Sequence, residues 1–584
     1  MFEQVQETIT RQISTFLSEK GIPVIPIDWK WIPFAGQWGI ATSFFQAASQ
    51  ETKQGLNVPV GERAQQIASQ VAEHLGIPEG FSKVEAVRGY LNLTFSSSAF
   101  ASQVIKAVQT EGSQFGKGQA TNQRIMVEYS QPNTHKAFHV GHLRNVVLGS
   151  AVCNILEWAG NDVVRANYIG DIGLHVIKWL WCYLKYHNGE QPPVDRVRWI
   201  GEIYVEASRQ YEDNPAVEPE VRTLFARWDR REPEIVSLWE KTRQWSLEAF
   251  DQIYSLLGVH FDRLYFESEV EHSGKEIVKT LIEKGLATDD RPEGSVYIPL
   301  DNFTGTKDKY RVLVILRSDG TSLYATKDIP LAIQKFEEYK LDRSIYIVDV
   351  RQSLYLQQIF KTIELLGYSW ANQCYHLAYE IVTLPGNVTI ASREGAVVLL
   401  EDLVSEATSR ALEIVQAKNP EISSEQQQAV AHAVALGAIR YSMLSRDSSK
   451  VVTFDWDAAL DFNGQAAPYI QYAAVRANSI LRKAGELPQE WQVPAELQPV
   501  EITLIDLISR VPQEIQKAAR DIKPLHLTTH VYELARAFND FYNQCPVLQA
   551  EPAVRGFRLQ LVASSRQAIR NLLSILGIET PDIM

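Results

Sequence analysis

Apolar positions along this chain follow two rhythms, and the places where one gives way to the other outline the elements. Val5, Ile9, Ile13, Phe16 and Leu17 recur after Phe2 at helical spacing, and Gly21 closes the run, which predicts an amphipathic first helix. Short strands are predicted near 24–27 and over 83–93, with a helix at 61–75 between them. Residues 125–129 form a compact apolar run rich in β-formers, so a buried strand is expected there. Pro132 breaks it, a loop carries 133–138, and from Gly141 onward Leu143, Val146, Val147, Ala151, Ile155 and Trp158 mark a helix that ends at Gly160. Residues 162–168 read as a second strand parallel to the first, which makes a βαβ unit. A charged helical stretch rich in Trp and Tyr follows over about 196–256, its aromatics read mainly as core.

The strand rhythm returns between about 310 and 400 as the second half of the same nucleotide fold. Residues 312–316 and 344–350 are predicted strands, a helix opens at 324–328, and Arg351-Gln352 sits at the carboxyl end of the second strand. Beyond about Val404 the text is almost wholly helical. Leu504, Ile508, Val511, Ile515 and Ala518 share one amphipathic face, as do Val531, Leu534, Ala537, Phe538 and Phe541. With 584 residues the chain exceeds a single hydrophobic core, so several domains are expected. A Gly-rich polar linker at 112–119 supplies one boundary. The expected division is a small α/β domain over 1–112, a Rossmann-type domain over 120–403 with a helical insertion at about 196–256, and an all-α bundle over 404–584.

Composition narrows the class. The 45% hydrophobic and 22% charged content is that of a soluble globular protein. No apolar run reaches the roughly 18 residues of a membrane span, and no signal peptide is evident at the start. Cys153, Cys182, Cys374 and Cys545 lie far apart without metal or redox spacing, which fits a reducing cytoplasm. A net charge of −13 argues against indiscriminate nucleic-acid binding but leaves room for a specific RNA. Residues 440–584 hold 15 basic and 16 acidic side chains, so most of the acidity lies upstream.

The chemistry gathers around His139-Val140-Gly141-His142. A strand, a loop, a glycine and a helix N-terminus present unpaired N–H groups and a helix dipole to an anion. A bare HxGH could be two surface histidines; behind Glu128 and Asn133 and between a strand and a helix, it reads as a phosphate site. The switch-point rule for doubly wound sheets puts Tyr324, Asp328 and Gln352 on the same rim as Glu128 and Asn133. Tyr324 lies one helical turn before Asp328 on the same face.

HVGH resembles the HIGH signature of class I aminoacyl-tRNA synthetases, and the run from Val127 to Asn145, VEYSQPNTHKAFHVGHLRN, is similar to arginyl-tRNA synthetases in particular. Asn167-Tyr168-Ile169-Gly170-Asp171-Ile172-Gly173 and the FNGQAAPYIQY segment from Phe462 to Tyr472 extend the resemblance over nearly the whole chain. The resemblance implies a class I Rossmann-type α/β catalytic domain, an N-terminal α/β domain that contacts tRNA and a helical anticodon-binding bundle. It implies arginine, ATP with Mg2+, and tRNA(Arg) as ligands, with no metal site of the protein's own, in a cytoplasmic monomer without membrane association. Glu128, Asn133, Tyr324, Asp328 and Gln352 match arginine-binding positions; Lys136, His139, Gly141, His142, Ser392 and Arg393 match the ATP side. Tyr542 and Met584 match anticodon-loop contacts, with a core role for Tyr542 as the alternative.

Two departures stand out. The second signature, KMSKS, corresponds here to Thr389-Ile390-Ala391-Ser392-Arg393-Glu394-Gly395, where both lysines are missing and Arg393 remains as the loop's cation. Lys136, just before HVGH, is shared with family members whose loop is similarly degraded. Tyr355 stands where the family often has histidine. The eroded loop leaves a catalytically weak tRNA-binding paralogue open as the alternative, and a synthetase for another amino acid as a second.

Overall fold

A computed structural model of the chain describes residues 3–32, 34–138, 140–384, 388–389 and 399–584. Helix α1 (Glu3–Glu19) buries Ile9, Ile13, Phe16 and Leu17, the stripe its spacing predicts. After it come β1 (Lys30–Ile32), β2 (Gly39–Ser43), α2 (Phe45–Lys53), α3 (Val60–Leu75), β3 (Phe81–Val87), β4 (Tyr90–Phe95) and α4 (Ser97–Glu111). The strands form an antiparallel sheet in the order β1-β2-β4-β3. Two expectations change here. Residues 24–27 carry no strand, because Pro23 and Pro26 remove backbone donors on either side of Val24 and Ile25, and β1 and β2 lie further on. The stretch 83–93 is a hairpin rather than one strand, turned at Arg88 and Gly89 with φ of 51° and 85°.

The central layer is built from β5 (Arg124–Glu128), α5 (Val140–Trp158), β6 (Asp162–Ile169), α6 (Leu174–Tyr186), α7 (Arg196–Asp213), α8 (Val217–Asp229), α9 (Pro233–Leu256), β7 (Arg263–Phe266) and α10 (Glu267–Glu283). It continues through β8 (Thr288–Asp289), β9 (Val296–Pro299), α11 (Leu300–Thr304), β10 (Val312–Leu316), α12 (Tyr324–Tyr339), β11 (Arg343–Asp349), α13 (Ser353–Leu365) and β12 (Cys374–Tyr379). A parallel sheet runs β12-β11-β5-β6-β7. Strand order reverses between β11 and β5, so the carboxyl ends at Glu128 and Asp349 open the switch-point crevice. Close seating of α5 on β5 depends on Gly149, where a Cβ would stand 2.2 Å from the Tyr129 ring.

One predicted strand of the nucleotide fold proves to lie elsewhere. β10 pairs antiparallel with β9 in a separate β10-β9-β8 sheet. Val312 and Val314 are 52% and 38% exposed while Leu313 and Ile315 are buried, the one-sided burial of an antiparallel strand.

The remainder comprises β13 (Val382–Leu384), β14 (Val388–Thr389), α14 (Leu400–Lys418), α15 (Ser424–Leu444), β15 (Val452–Thr453), α16 (Trp456–Ala459), α17 (Ala467–Ala484), α18 (Pro499–Asp521), α19 (Leu525–Gln544) and α20 (Pro552–Ile575). The predicted faces of α18 and α19 are buried. β15 interrupts the helical text expected here and pairs parallel with β13. The bundle touches both other layers. Trp38 donates from Nε1 to Asp506 on α18 at 2.7 Å, and Asn571 on α20 donates to the carbonyls of Gly112 and Phe115 at 3.0 and 3.1 Å. Among the described residues no helix is long and apolar enough to cross a membrane.

Candidate active site

The loop that follows β5 holds three non-glycine residues in left-handed backbone conformations: Ser130, Gln131 and His135, with φ of 76°, 48° and 61°. Such residues cost roughly 1–3 kcal/mol each and persist where the surroundings over-determine them. Neighbouring elements do so here. The Ser130 amide donates to Asn145 of α5 at 2.6 Å, and its hydroxyl lies 2.7 Å from that of Tyr254 on α9. The Gln131 amide donates to Asn167 at the end of β6, and Asn167 donates in turn to Tyr254, both at 3.0 Å. The His135 ring lies between the hydroxyls of Thr134 and Thr242 at 2.9 and 2.8 Å, and burial lowers its pKa to about 3, so it stays a neutral brace. Asn145, Tyr254 and His135 were not singled out from sequence as organisers, because their partners lie up to 234 residues away.

Two cavities meet this loop. The first, about 390 Å³, is walled by Glu128, Tyr324, Asp328 and Gln352 together with Lys335, Gln131, Tyr346 and Tyr355. Four of the five residues expected to bind arginine therefore share one cavity. Asn133 does not line it. Asn133 bridges to Gly170 at the end of β6, where an added Cβ would stand 2.3 Å from its side-chain oxygen, and faces the second cavity. Tyr324, 73% exposed, and exposed Gln352 sit at the mouth of the first cavity.

The carboxylates of the first cavity are not equivalent. Glu128 is buried, ion-paired with buried Lys335, and accepts from Gln131 Nε2 at 3.0 Å. Lys335 also lies 4.9 Å from the Tyr346 ring, so this charge pair is closed within the protein. Asp328 accepts from the Tyr355 hydroxyl at 2.5 Å. It keeps some surface toward the cavity, yet the surrounding protein strips away bulk water and raises its pKa to about 7, with the Glu128 charge adding to the rise against the Tyr355 hydrogen bond. Tyr355, where the sequence departs from its family, is thus the neutral group that orients Asp328. Lys335 was missed from sequence, although it lies seven residues after Asp328 on the same face of α12.

A raised carboxyl makes a pH prediction. The unliganded protein holds a proton on Asp328 between its ordinary value of 3.8 and about 7 that the unfolded chain has lost. This group's stability contribution is therefore full at low pH and disappears as pH rises to about 7. A bound cation favours the ionised form, so the affinity for a cationic ligand such as the expected arginine runs the other way. Calorimetric titration is expected to weaken by up to about tenfold per pH unit below about 7. Asp328→Asn is expected to remove the dependence, and a flat profile in the parent enzyme would exclude Asp328 as the responding group.

The second cavity, about 790 Å³, is lined by Asn133, Lys136 and His142, with Tyr204, Glu206 and Arg209 of α7 opposite. α5 begins at Val140, so Gly141 and His142 lie in its first turn, where the helix dipole favours anions. The His142 ring lies 4.9 Å from that of Phe138, and the Lys136 ammonium is 5.3 Å from the Tyr204 ring. His139, Ser392 and Arg393 lie outside the described residues; Thr389 is described as backbone of β14. Asp171, in the segment that ends β6, is fully enclosed by the Ser268 amide and hydroxyl at 2.9 and 2.6 Å and by Arg243 at 2.9 Å, which gives it a structural role.

On the bundle, Tyr542 is 42% exposed while its neighbour Phe541 is fully buried, so the Tyr542 ring does not share the buried face of α19. The Arg476 guanidinium lies 4.7 Å from the Tyr542 ring and 4.9 Å from that of Tyr472. Met584 is buried, 7% exposed, at the end of the chain.

Two cavities meeting over the carboxyl end of one parallel strand, one presenting carboxylates and the other a helix N-terminus, define the catalytic core of a class I aminoacyl-tRNA synthetase. The family described as "tRNA synthetases class I (R), catalytic domain" matches residues 104–456, and the DALR anticodon binding domain matches 470–584. The arginine–tRNA ligase of Bacteroides thetaiotaomicron is 34% identical over 550 residues, covering 89% of this chain and 91% of its own. That of Clostridium acetobutylicum is 34% identical over 520 residues, covering 89% and 90%. The solved Thermus thermophilus arginyl-tRNA synthetase superposes with a TM-score of 0.75 at 27% identity, covering 99% of this chain and 100% of its own. The chain belongs to the arginyl-tRNA synthetases, and its activity is that of an arginine–tRNA ligase.

Proposed function

We propose that the 390 Å³ cavity takes arginine with its guanidinium on Asp328, and that the second cavity takes ATP along the first turn of α5. The observation that carries this is the unequal state of the two carboxylates. Lys335 already neutralises Glu128, so a cationic side chain entering the cavity meets Asp328 as the carboxylate without a cation of its own among the described lining residues. Tyr324 and Gln352 at the mouth serve the amino acid's polar head, and Asn133, between the cavities, serves its reacting end.

An arginine carboxylate oxygen attacks the α-phosphorus of ATP, the bond to the bridging oxygen breaks, and pyrophosphate leaves with its Mg2+. Little covalent work falls to the protein, whose side chains position the reactants and meet developing negative charge. His142, Gly141 and Lys136 do so from the α5 side, with His139, Ser392 and Arg393 assigned to the same phosphates. A ribose hydroxyl of the terminal tRNA adenosine, the 2′ hydroxyl for this class, then attacks the acyl carbon and releases AMP. Residues 1–112 and 404–584 grip the tRNA on either side of the catalytic layer at 120–403, in a cytoplasmic monomer. A charging assay across all the amino acids tests this reading, with arginine alone expected to be transferred to tRNA(Arg). Transfer of another amino acid at a comparable rate would refute it, and binding without charging would favour the tRNA-binding paralogue.

Tyr542 offers an exposed ring backed by a cation, suited to stack on an unpaired anticodon base. Met584, matched to the same contact, is buried and offers RNA little side-chain surface. Tyr542→Ala is expected to weaken tRNA binding by roughly 1–3 kcal/mol with ATP affinity unchanged. Lower thermal stability with normal tRNA affinity per folded molecule would make the ring structural instead.

A further inference from the structure

The corner between α6 and α7 gathers a thiol, an imidazole and a carboxylate. Cys182 lies on α6, His187 caps its carboxyl end and Glu206 projects from α7. One ligand atom from each of the three lies within 4.8 Å of the other two. His187 Nε2 is 2.8 Å from the Glu206 carboxylate, and Nδ1 is 3.1 Å from that of Glu190. Glu190 is itself anchored, since its amide donates to the His187 carbonyl at 2.9 Å and its carboxylate accepts from Trp199 Nε1 at 3.4 Å. An imidazole held by an outer carboxylate on one nitrogen, with the other facing a second carboxylate and a thiol, is the arrangement by which metal-binding histidines are oriented. Spacing among cysteines does not reveal such a group, because just one of its members is a cysteine.

We propose that Cys182, His187 and Glu206 bind a zinc ion, with Glu190 fixing the histidine ring and water completing the coordination. The donor set selects the ion: Mg2+ and Ca2+ want oxygen throughout and Cu(I) wants more sulfur, whereas mixed sulfur, nitrogen and oxygen suits Zn2+. Zinc bonds of about 2.0–2.3 Å put tetrahedral ligand atoms roughly 3.3–3.8 Å apart, so the ligands shift by up to about 1 Å on binding, the 2.8 Å His187–Glu206 contact opening and the longer spacings closing. Glu206, with its side chain 40% exposed, is free to make that movement, while buried Cys182 stays in place. The thiol proton leaves to solvent as the sulfur–zinc bond forms.

Bound there, the ion would staple α6 to α7, the helix that walls the loop before HVGH. On α7 a Cβ at Gly201 would stand 2.8 Å from the Ala137 side chain, and the Tyr204 ring faces Lys136. The ion is thus structural, separate from the magnesium that travels with ATP.

The test uses the full-length chain stripped by a chelator and titrated with Co2+ and then Zn2+. One Co2+ per chain is expected, with a thiolate-to-cobalt charge-transfer band that Zn2+ abolishes and a thermal midpoint raised by either ion. Cys182→Ser is expected to lose the band. Glu190→Gln, on the surface and outside the ligand set, is expected to weaken metal affinity by roughly 10–100-fold. Should Cys182→Ser fail to fold, His187→Gln at the partly exposed corner gives the same reading by loss of retention. Absence of the band in the parent chain, its survival in Cys182→Ser, or unchanged metal retention in His187→Gln would each overturn the assignment.

Discussion

Asp328→Ala is expected to raise the arginine KM by about two to four orders of magnitude, about 3–5 kcal/mol in arginine use, while the ATP KM stays nearly unchanged. Most of that loss reflects a buried cation stripped of its partner. Glu128 is no substitute, because its charge is already committed to Lys335 and to the Gln131 amide. A graded control comes from Tyr355→Phe, which removes the hydrogen bond that opposes the rise in the Asp328 pKa. In that variant the pH below which arginine binding weakens should move upward, with a smaller change in KM at alkaline pH. Steady-state kinetics of pyrophosphate exchange against each substrate separates these effects, and an unaltered arginine KM in Asp328→Ala would take this residue out of the guanidinium pocket.

Lys136→Met is expected to lower kcat by at least about a hundredfold with a smaller effect on arginine KM, close to the cost of removing one group that stabilises developing charge. Departing pyrophosphate builds negative charge that the second signature, with threonine at 389 and serine at 392, is poorly equipped to meet. Lys136 lines the same cavity as His142, on the loop that feeds α5, with its ammonium over Tyr204. Methionine keeps most of the side-chain length and removes the charge. Ser392→Lys in that background should recover part of the rate, since the new ammonium approaches the same phosphates from the other side. Charging at the parent rate in Lys136→Met would shift the role to Arg393.

What the sequence made legible was local. The run β5, loop, α5, β6 could be read because Pro132 and Gly160 stand at its breaks and its apolar spacing is unambiguous. The same apolar signal misassigned 312–316, since a short run does not say which sheet it joins, and β10 joins β9 rather than β11. Glu128 and Asp328 were accessible through their resemblance to known positions, but their unequal roles were not. That difference comes from Lys335 and Tyr355, which face the two carboxylates from α12 and α13. Asn133 was placed on the correct rim, yet its contact with Gly170 turns it toward the other cavity. Each of these outcomes is decided by a partner distant in sequence.

Arg144 on α5 donates to the carbonyls of Glu380 and Ile381 on one side and of Asp447 and Ser448 on the other. The Glu380 amide donates to Ser448 at 2.9 Å, and β13 then pairs with β15. Mechanically, the stem that leads into the second signature is clasped between α5 and the turn that follows α15, with one buried guanidinium as the rivet through both.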